Sequence, residues 1–179
     1  LESILNSKYK ARIVRMDIDT TSRKDSVERI VTDFKNHNYD ILLGTQMIAK
    51  GLDFPNVTLV GVINGDASLN IPDFRSSERT FELLNQVAGR AGRNLKKGKV
   101  VIQGFNMDHY SITCASNHDY ITFYNKEMKI REELKYPPFY NLTLIKIISE
   151  DYELLLTESK KISTYLKREL KDTIILGPT

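Results

Sequence analysis

An α/β fold is predicted for this chain, with a mostly parallel sheet covered by helices on both faces and a second, smaller α/β unit after it. Three observations predict it. Short, β-branched apolar runs alternate with stretches of helical periodicity. The connections between them are short, and strand–helix–strand order with short connections favours parallel pairing. Apolar residues make up 41% of the 179, enough to bury a core at this size.

The elements follow in order. Arg12–Met16 reads as a short strand. Ser26–Phe34 reads as a helix, because Val27, Ile30, Val31 and Phe34 recur at i, i+3, i+4 and i+7. Asp40–Gly44 is a buried strand ended by glycine. Thr45 can cap a short helix over Gln46–Lys50, stopped by Gly51. Val57–Ile63 is the next strand, Arg75–Arg90 a helix, and Val100–Gln103 a further strand. After Phe105 the texture changes. Asp119–Leu134 reads as a long amphipathic helix halted by Tyr136-Pro137-Pro138. A strand (Leu142–Ile148), a helix (Glu153–Leu170) and a strand (Thr173–Leu176) complete a second α/β unit, its two strands expected to pair in parallel across the helix. The boundary is placed near 106, giving 1–106 and 107–179, with the second unit incomplete.

Charge and cysteine content narrow the class. Twenty-six basic side chains against 23 acidic ones leave +3, too mild to prove a nucleic-acid partner. Arg90, Arg93, Lys96, Lys97 and Lys99 nonetheless fall within ten residues that hold no acid; a solvated helix end and a polyanion contact are equally good readings of that run. One cysteine permits no internal disulfide, and the plain expectation is a reducing, cytoplasmic setting. No apolar run approaches the ~18 residues needed to span a membrane. Nothing at the start reads as a signal peptide. The first residue is Leu rather than Met, and the chain reads as a piece of something longer. His109, Cys114 and His118 approach a ligand spacing, but a structural zinc wants four ligands and no fourth lies near, so no metal site is expected.

Two segments carry chemistry. In Gln86-Val-Ala-Gly89-Arg90-Ala-Gly92-Arg93, a continuous helix would put Gln86, Arg90 and Arg93 on one stripe, at i, i+4 and i+7. Each glycine costs a helix ~1 kcal/mol against Ala, so two of them beside two arginines want a reason, such as close approach of another surface. Arginine's planar, permanently charged fork suits phosphate, and two arginines with an amide could grip a triphosphate. A fraying helix end with solvated arginines fits the spacing equally well. In Gly44-Thr45-Gln46-Met-Ile-Ala-Lys50-Gly51-Leu-Asp53-Phe54-Pro55, a Gly-Thr pair follows a buried strand, at the sheet edge where α/β proteins bind ligands. A capped turn with a surface lysine is the plainer alternative.

Together, and in this order, the two segments resemble motifs V and VI in the second RecA-like lobe of superfamily 2 helicases. Gly44–Pro55, the linking Ile71-Pro-Asp-Phe-Arg-Ser-Ser-Glu-Arg79, and Gln86–Arg93 are most similar to the PriA-type (primosomal protein N′) helicase family of bacterial replication restart. Arg15–Thr21 resembles that family's motif IV region. Tyr136-Pro-Pro-Phe139 and the closing Leu-Gly-Pro resemble its C-terminal domain.

The resemblance implies a RecA-like lobe over 1–106, followed by a connecting helix and the start of a C-terminal domain. It implies ATP-driven 3′-to-5′ DNA unwinding by the complete protein. Gln86, Arg90 and Arg93 would be the catalytic glutamine and arginine fingers at the γ-phosphate. Gly51 and Asp53 would lie nearest the nucleotide, and Thr45 and Gln46 nearest the DNA backbone. It implies ATP and Mg²⁺ as cofactors of the complete protein, and zinc held by a cysteine cluster upstream of Leu1. The implied partners are single-stranded and forked DNA, primosome loader proteins and single-stranded DNA-binding protein. The chain holds no Gly-x-x-x-x-Gly-Lys-Ser/Thr phosphate loop and no Asp-Glu-x-His box, so by itself it is expected to be inactive. An RNA helicase or fork-reversal helicase of the same superfamily, or a non-catalytic nucleic-acid docking module with the lobe fold, are the alternatives.

Overall fold

The computed structural model describes residues 2–17, 26–45, 48, 52, 54–89, 91–92 and 98–178. These fall into two compact units, Leu1–Phe139 and Tyr140–Thr179.

The first unit is mixed α/β with parallel strands. A short helix, α1 (Glu2–Tyr9), buries none of its residues. That explains why it left no apolar periodicity to read. β1 (Ile13–Met16) and β2 (Ile41–Gly44) pair in parallel, Ile13 opposite Ile41 and Met16 opposite Gly44. The intervening helix α2 (Ser26–Lys35) packs on β1, as a crossover between parallel neighbours should. Arg12 and Asp40 close the entrance to this pair. Arg12 Nη2 lies 2.7 Å from Asp40 Oδ1, its backbone N–H donates to Oδ2 at 2.9 Å, and the guanidinium holds the Asp40 carboxyl down at about 2. β3 (Leu59–Val62) and β4 (Lys99–Ile102) form a second parallel pair, Leu59 opposite Lys99 and Val62 opposite Ile102. The expected sheet is thus described as two parallel pairs. Of the helix expected over Gln46–Lys50, only Ile48 is among the described residues.

The core forms where helices cover the second pair. α3 (Ser76–Ala88) turns Thr80, Phe81 and Leu84 inward, the i, i+1, i+4 set that one helix face presents. A 3₁₀ turn (Ala67–Asn70), then α4 (Tyr110–Ser116) and α5 (Tyr120–Glu133), close over it. Phe81, Leu84, Ile112, Cys114, Ala115 and Phe123 make one buried cluster, joined by Val62 and Ile102 from the strands. The Phe81 and Phe123 rings stack at 4.1 Å, 6° from parallel. Sequence caps set the boundaries of α5. Asp119 accepts from Thr122 N–H at 3.0 Å at its start. At its end Lys135, at φ 59°, turns the chain left-handed while Tyr136 N–H reaches back to Arg131 C=O at 2.7 Å.

One expectation, the strands of the second unit, is corrected below. The compact units also divide at a different place from the expected family boundary near 106. α4 and α5 supply four of the six residues of the buried cluster, so residues 107–139 pack with the first unit, and the division falls after Phe139. In the second unit, α6 (Tyr152–Glu169), capped by Asp151 through Leu154 N–H at 3.0 Å, matches the expected helix. Neither Leu142–Ile148 nor Thr173–Leu176 forms a strand. Their composition suits a strand, but β structure also needs a partner backbone, which composition does not specify. Leu144 is 90% exposed and Leu176 88%. The contact that ties the last segment to α6 is instead Ser163 Oγ–H to Gly177 C=O, 3.1 Å.

Candidate functional site

Parallel pairing puts the C-terminal ends of β1 and β2 side by side, because Met16 is opposite Gly44. Ligands of α/β proteins bind beyond this end of the strands. Gly44 is required there by contact. A Cβ would stand 2.3 Å from the Met16 carbonyl oxygen and 2.3 Å from Ile48 Cδ1. Thr45 follows at once, exposed, its carbonyl accepting from Ile48 N–H at 3.1 Å as the chain turns. On the neighbouring strand the next residue is Asp17, buried and 2.5 Å from Arg15 Nε through Oδ2. Asp17 is a carboxylate at this edge that the spacing argument did not single out. Downstream, buried Phe54 meets Phe34 of α2 edge-on at 5.1 Å, which anchors the stretch after Asp53 to the first strand pair. Gln46, Gly51 and Asp53 lie outside the described residues.

Gln86 is exposed on the last turns of α3, away from buried Phe81 and Leu84. The helix stops sooner than the sequence predicts. It ends at Ala88, and Gly89 caps it by donating to Asn85 C=O at 3.0 Å. Gly92 has φ 75° and donates to Val57 C=O at 3.1 Å, so the chain has left the helix before Arg93. Of Gln86, Arg90 and Arg93, only Gln86 lies on the described helix. Gly92 supplies a left-handed turn that an L side chain adopts at a cost. The close approach anticipated for these glycines occurs at Gly98, whose Cβ would stand 2.3 Å from Gly92 N. Arg90 and Arg93 lie outside the described residues. Gly98-Lys99 leads into a strand, β4, whereas a phosphate loop leads into a helix.

The opposite strand pair has its own tie. Asp66, 3% exposed, accepts from Phe105 N–H at 2.8 Å and Asn106 N–H at 2.7 Å through Oδ2. It thereby clamps the residues after β4 to those after β3, and the donation from Asn106 above all holds its carboxyl below the usual range. Sequence reasoning passed over it. A Gly-Asp pair just past a strand was the available signal.

The three candidate metal-ligating residues have separate structural duties. Cys114 is buried in the core. His109 caps α4 by accepting from Ser111 N–H at 3.3 Å, and His118 Nδ1 lies 3.1 Å from Asn85 Oδ1. Among the described residues no three His, Cys, Asp or Glu side chains gather as a metal site. No described helix is long and apolar enough to cross a membrane.

Beside the core, the Tyr110 hydroxyl donates to Glu127 Oε2 at 2.5 Å. Burial first, and this bond second, push Tyr110 up to about 12. Unfolded tyrosine loses its proton near pH ~10, so between there and the folded value the unfolded chain holds fewer protons and rising pH favours unfolding. Tyr110→Phe is therefore expected to flatten the alkaline loss of stability while lowering stability at neutral pH by ~1–3 kcal/mol. Urea midpoints of both proteins from pH 8 upward check this. Parallel alkaline slopes would refute it.

Known proteins resemble this chain over most of its length. The helicase conserved C-terminal domain family matches residues 1–95, which include the first parallel pair, β3, α3 and the Gln86–Arg93 segment. Replication restart protein PriA of Bacillus subtilis is 54% identical over 170 residues, covering 94% of this chain and 21% of that protein. PriA of Chlamydia pneumoniae is 41% identical over 179 residues, 99% of this chain and 24% of that protein. PriA of Treponema pallidum is 47% identical over 131 residues, 73% of this chain and 20% of that protein. The chain thus spans about a fifth to a quarter of the length of these relatives. With a family match over more than half of its residues, and with Gly44-Thr45 and Gln86 at the positions described above, the chain belongs to the helicase conserved C-terminal domain family.

Proposed function

We propose that this chain is the second motor lobe, with adjoining residues, of an ATP-dependent 3′-to-5′ DNA helicase that restarts replication at stalled forks. The observation that carries the reading is the seat of Gly44-Thr45 at the C-terminal edge of a parallel pair, in a chain 54% identical to a replication restart protein. In this reading residues 1–106 are the RecA-like lobe in the family sense, with 107–139 packed on it. Thr45 and Gln46 contact the DNA backbone. Gly51 and Asp53 border the nucleotide. Gln86, Arg90 and Arg93 bind the γ-phosphate and stabilise the charge that develops on it. When bound, ATP and Mg²⁺ would supply the phosphoryl group and a cation that offsets its charge, held by a phosphate loop that these 179 residues do not contain. Zinc belongs to a cysteine cluster that the single cysteine here cannot make. Forked and single-stranded DNA, loader proteins and single-stranded DNA-binding protein are the partners, and the cytoplasm is the compartment.

Arginine fingers act only on a phosphate that another element has positioned. The expected result is DNA-stimulated ATP turnover by the complete protein and none by residues 1–179 alone. Turnover by the purified 1–179 chain, or a complete protein indifferent to DNA, would refute the reading.

A further inference from the structure

Two sequence segments singled out by resemblance, Ile71–Arg79 and Tyr136–Phe139, have no part in the site as described so far. In the structure they meet around one side chain. Arg131, in the last turn of α5 and 8% exposed, donates from Nη2 to Glu78 Oε2 at 2.7 Å and from Nε to Glu127 Oε1 at 2.8 Å. Its Nη1 faces the Pro137 carbonyl at 3.4 Å. Its guanidinium carbon lies 5.2 Å from the centre of the Phe74 ring, and Phe74 in turn stacks on Tyr136 at 5.5 Å. One guanidinium thus touches the first turn of α3, the segment before α3, its own helix, and the segment after it.

A buried ion pair is weak evidence for stability, because well-packed apolar side chains often serve as well. Its better-attested use is to select one geometry. The fork has donors in fixed directions, and here three of them have separate partners on separate elements. The element held in place is α3. Eight residues separate Glu78 from Gln86, about 12 Å along a rigid helix at ~1.5 Å per residue. A tilt at Glu78 therefore moves Gln86 and the turn that follows it.

We propose that Arg131 is a positioning residue for the motor, setting the tilt and rotation of α3 and so the placement of Gln86 and the direction in which the chain leaves the helix toward Arg90 and Arg93. This rests on the reading of those three residues given under Proposed function. An interaction made in the transition state shows in kcat, so a misplaced finger should lower kcat and leave KM for ATP unchanged. A purely structural role would lower the folded fraction and leave the rate per folded molecule intact.

The test uses the complete protein with saturating oligo-dT, and compares Arg131→Lys, Glu78→Gln and Arg90→Ala with the wild type. Lysine keeps the charge and loses the fork. Glu78→Gln keeps the shape at a partly exposed position and weakens the link to α3. We expect Arg131→Lys to lower kcat per folded molecule by ~10- to 100-fold, the scale of a misplacement far from the chemistry, with KM for ATP within about twofold. Glu78→Gln should show the same pattern in smaller measure, and nucleotide-free binding of forked DNA should persist in both. If Arg131→Lys does not fold, Glu78→Gln decides alone. Wild-type kcat per folded molecule in the folded variants, with Arg90→Ala inactive, would overturn this inference and spare the site. Full turnover in Arg90→Ala would overturn both.

Discussion

Arg90→Ala in the complete protein is expected to lower ATP turnover by ~10³-fold or more, the scale attached to an arginine finger. Lysine should not restore it, because a point charge cannot reproduce a planar, two-toothed contact with phosphate oxygens. The fold should barely notice either change. Arg90 follows Gly89, the cap of α3, and the buried face of that helix is spent further back, at Thr80, Phe81 and Leu84. Nucleotide-free binding of forked DNA should survive, since the proposed function assigns this lobe's DNA contacts to Thr45 and Gln46 and not to Arg90. A solvated arginine at a helix end would behave in the reverse way, with a stability loss of ~0.5 kcal/mol and normal turnover. Steady-state ATPase rates and thermal melts of the wild type, Arg90→Ala and Arg90→Lys separate these outcomes. Normal turnover in Arg90→Ala would remove the assignment.

Phe123→Ala is expected to be the most damaging single core change, at ~3–5 kcal/mol. Phe123 is 4% exposed, lies flat on Phe81 of α3 and sits 5.9 Å from the Tyr110 ring. Its removal opens a cavity where α3, α4 and α5 converge. The melting temperature of the chain should fall by on the order of 10 °C. Phe123→Leu, which refills most of that volume, should cost clearly less. The comparison also tests the unit boundary. If residues 107–139 were separate from the lobe, the Phe123→Ala melt would split into two transitions with the upper one unmoved. A single shifted transition for residues 1–139 is the expected result.

The four strands and the two helices between Ile13 and Ile102 were legible because each carries a local signature, which α1 and the 3₁₀ turn at Ala67–Asn70 lack. The apolar spacing of α2 comes from one face turned to β1, and glycine ends β2 where Met16 allows no side chain. Asp119 marks the start of α5, and the prolines after Tyr136 rule out its continuation. The places of Thr45 and Gln86, just past a strand and near a helix end, were legible from Gly44 and from the helical periodicity before Gly89; the roles proposed for them rest on the chemistry of phosphate and DNA contact. Where the sequence argument failed, it failed on matters of partnership. Leu142–Ile148 and Thr173–Leu176 have the composition of strands, yet a strand exists only against another backbone. The helix expected to run to Arg90 ends at Ala88, where Gly89 caps it, and Gly92 then turns left-handed.

What the sequence by itself determined, then, is the helicase-lobe character of residues 1–95 and the residue types at the candidate site, because periodicity, caps and side-chain chemistry are local. What only the tertiary structure decided is that residues 107–139 complete the lobe's core, and that Glu78, Glu127, Phe74 and Pro137 converge on Arg131. Glu78 and Arg131 stand 53 residues apart. No local preference links them; their pairing follows from the packing of α5 against α3, where a buried and permanently charged guanidinium must find carboxylates to offset its lost hydration.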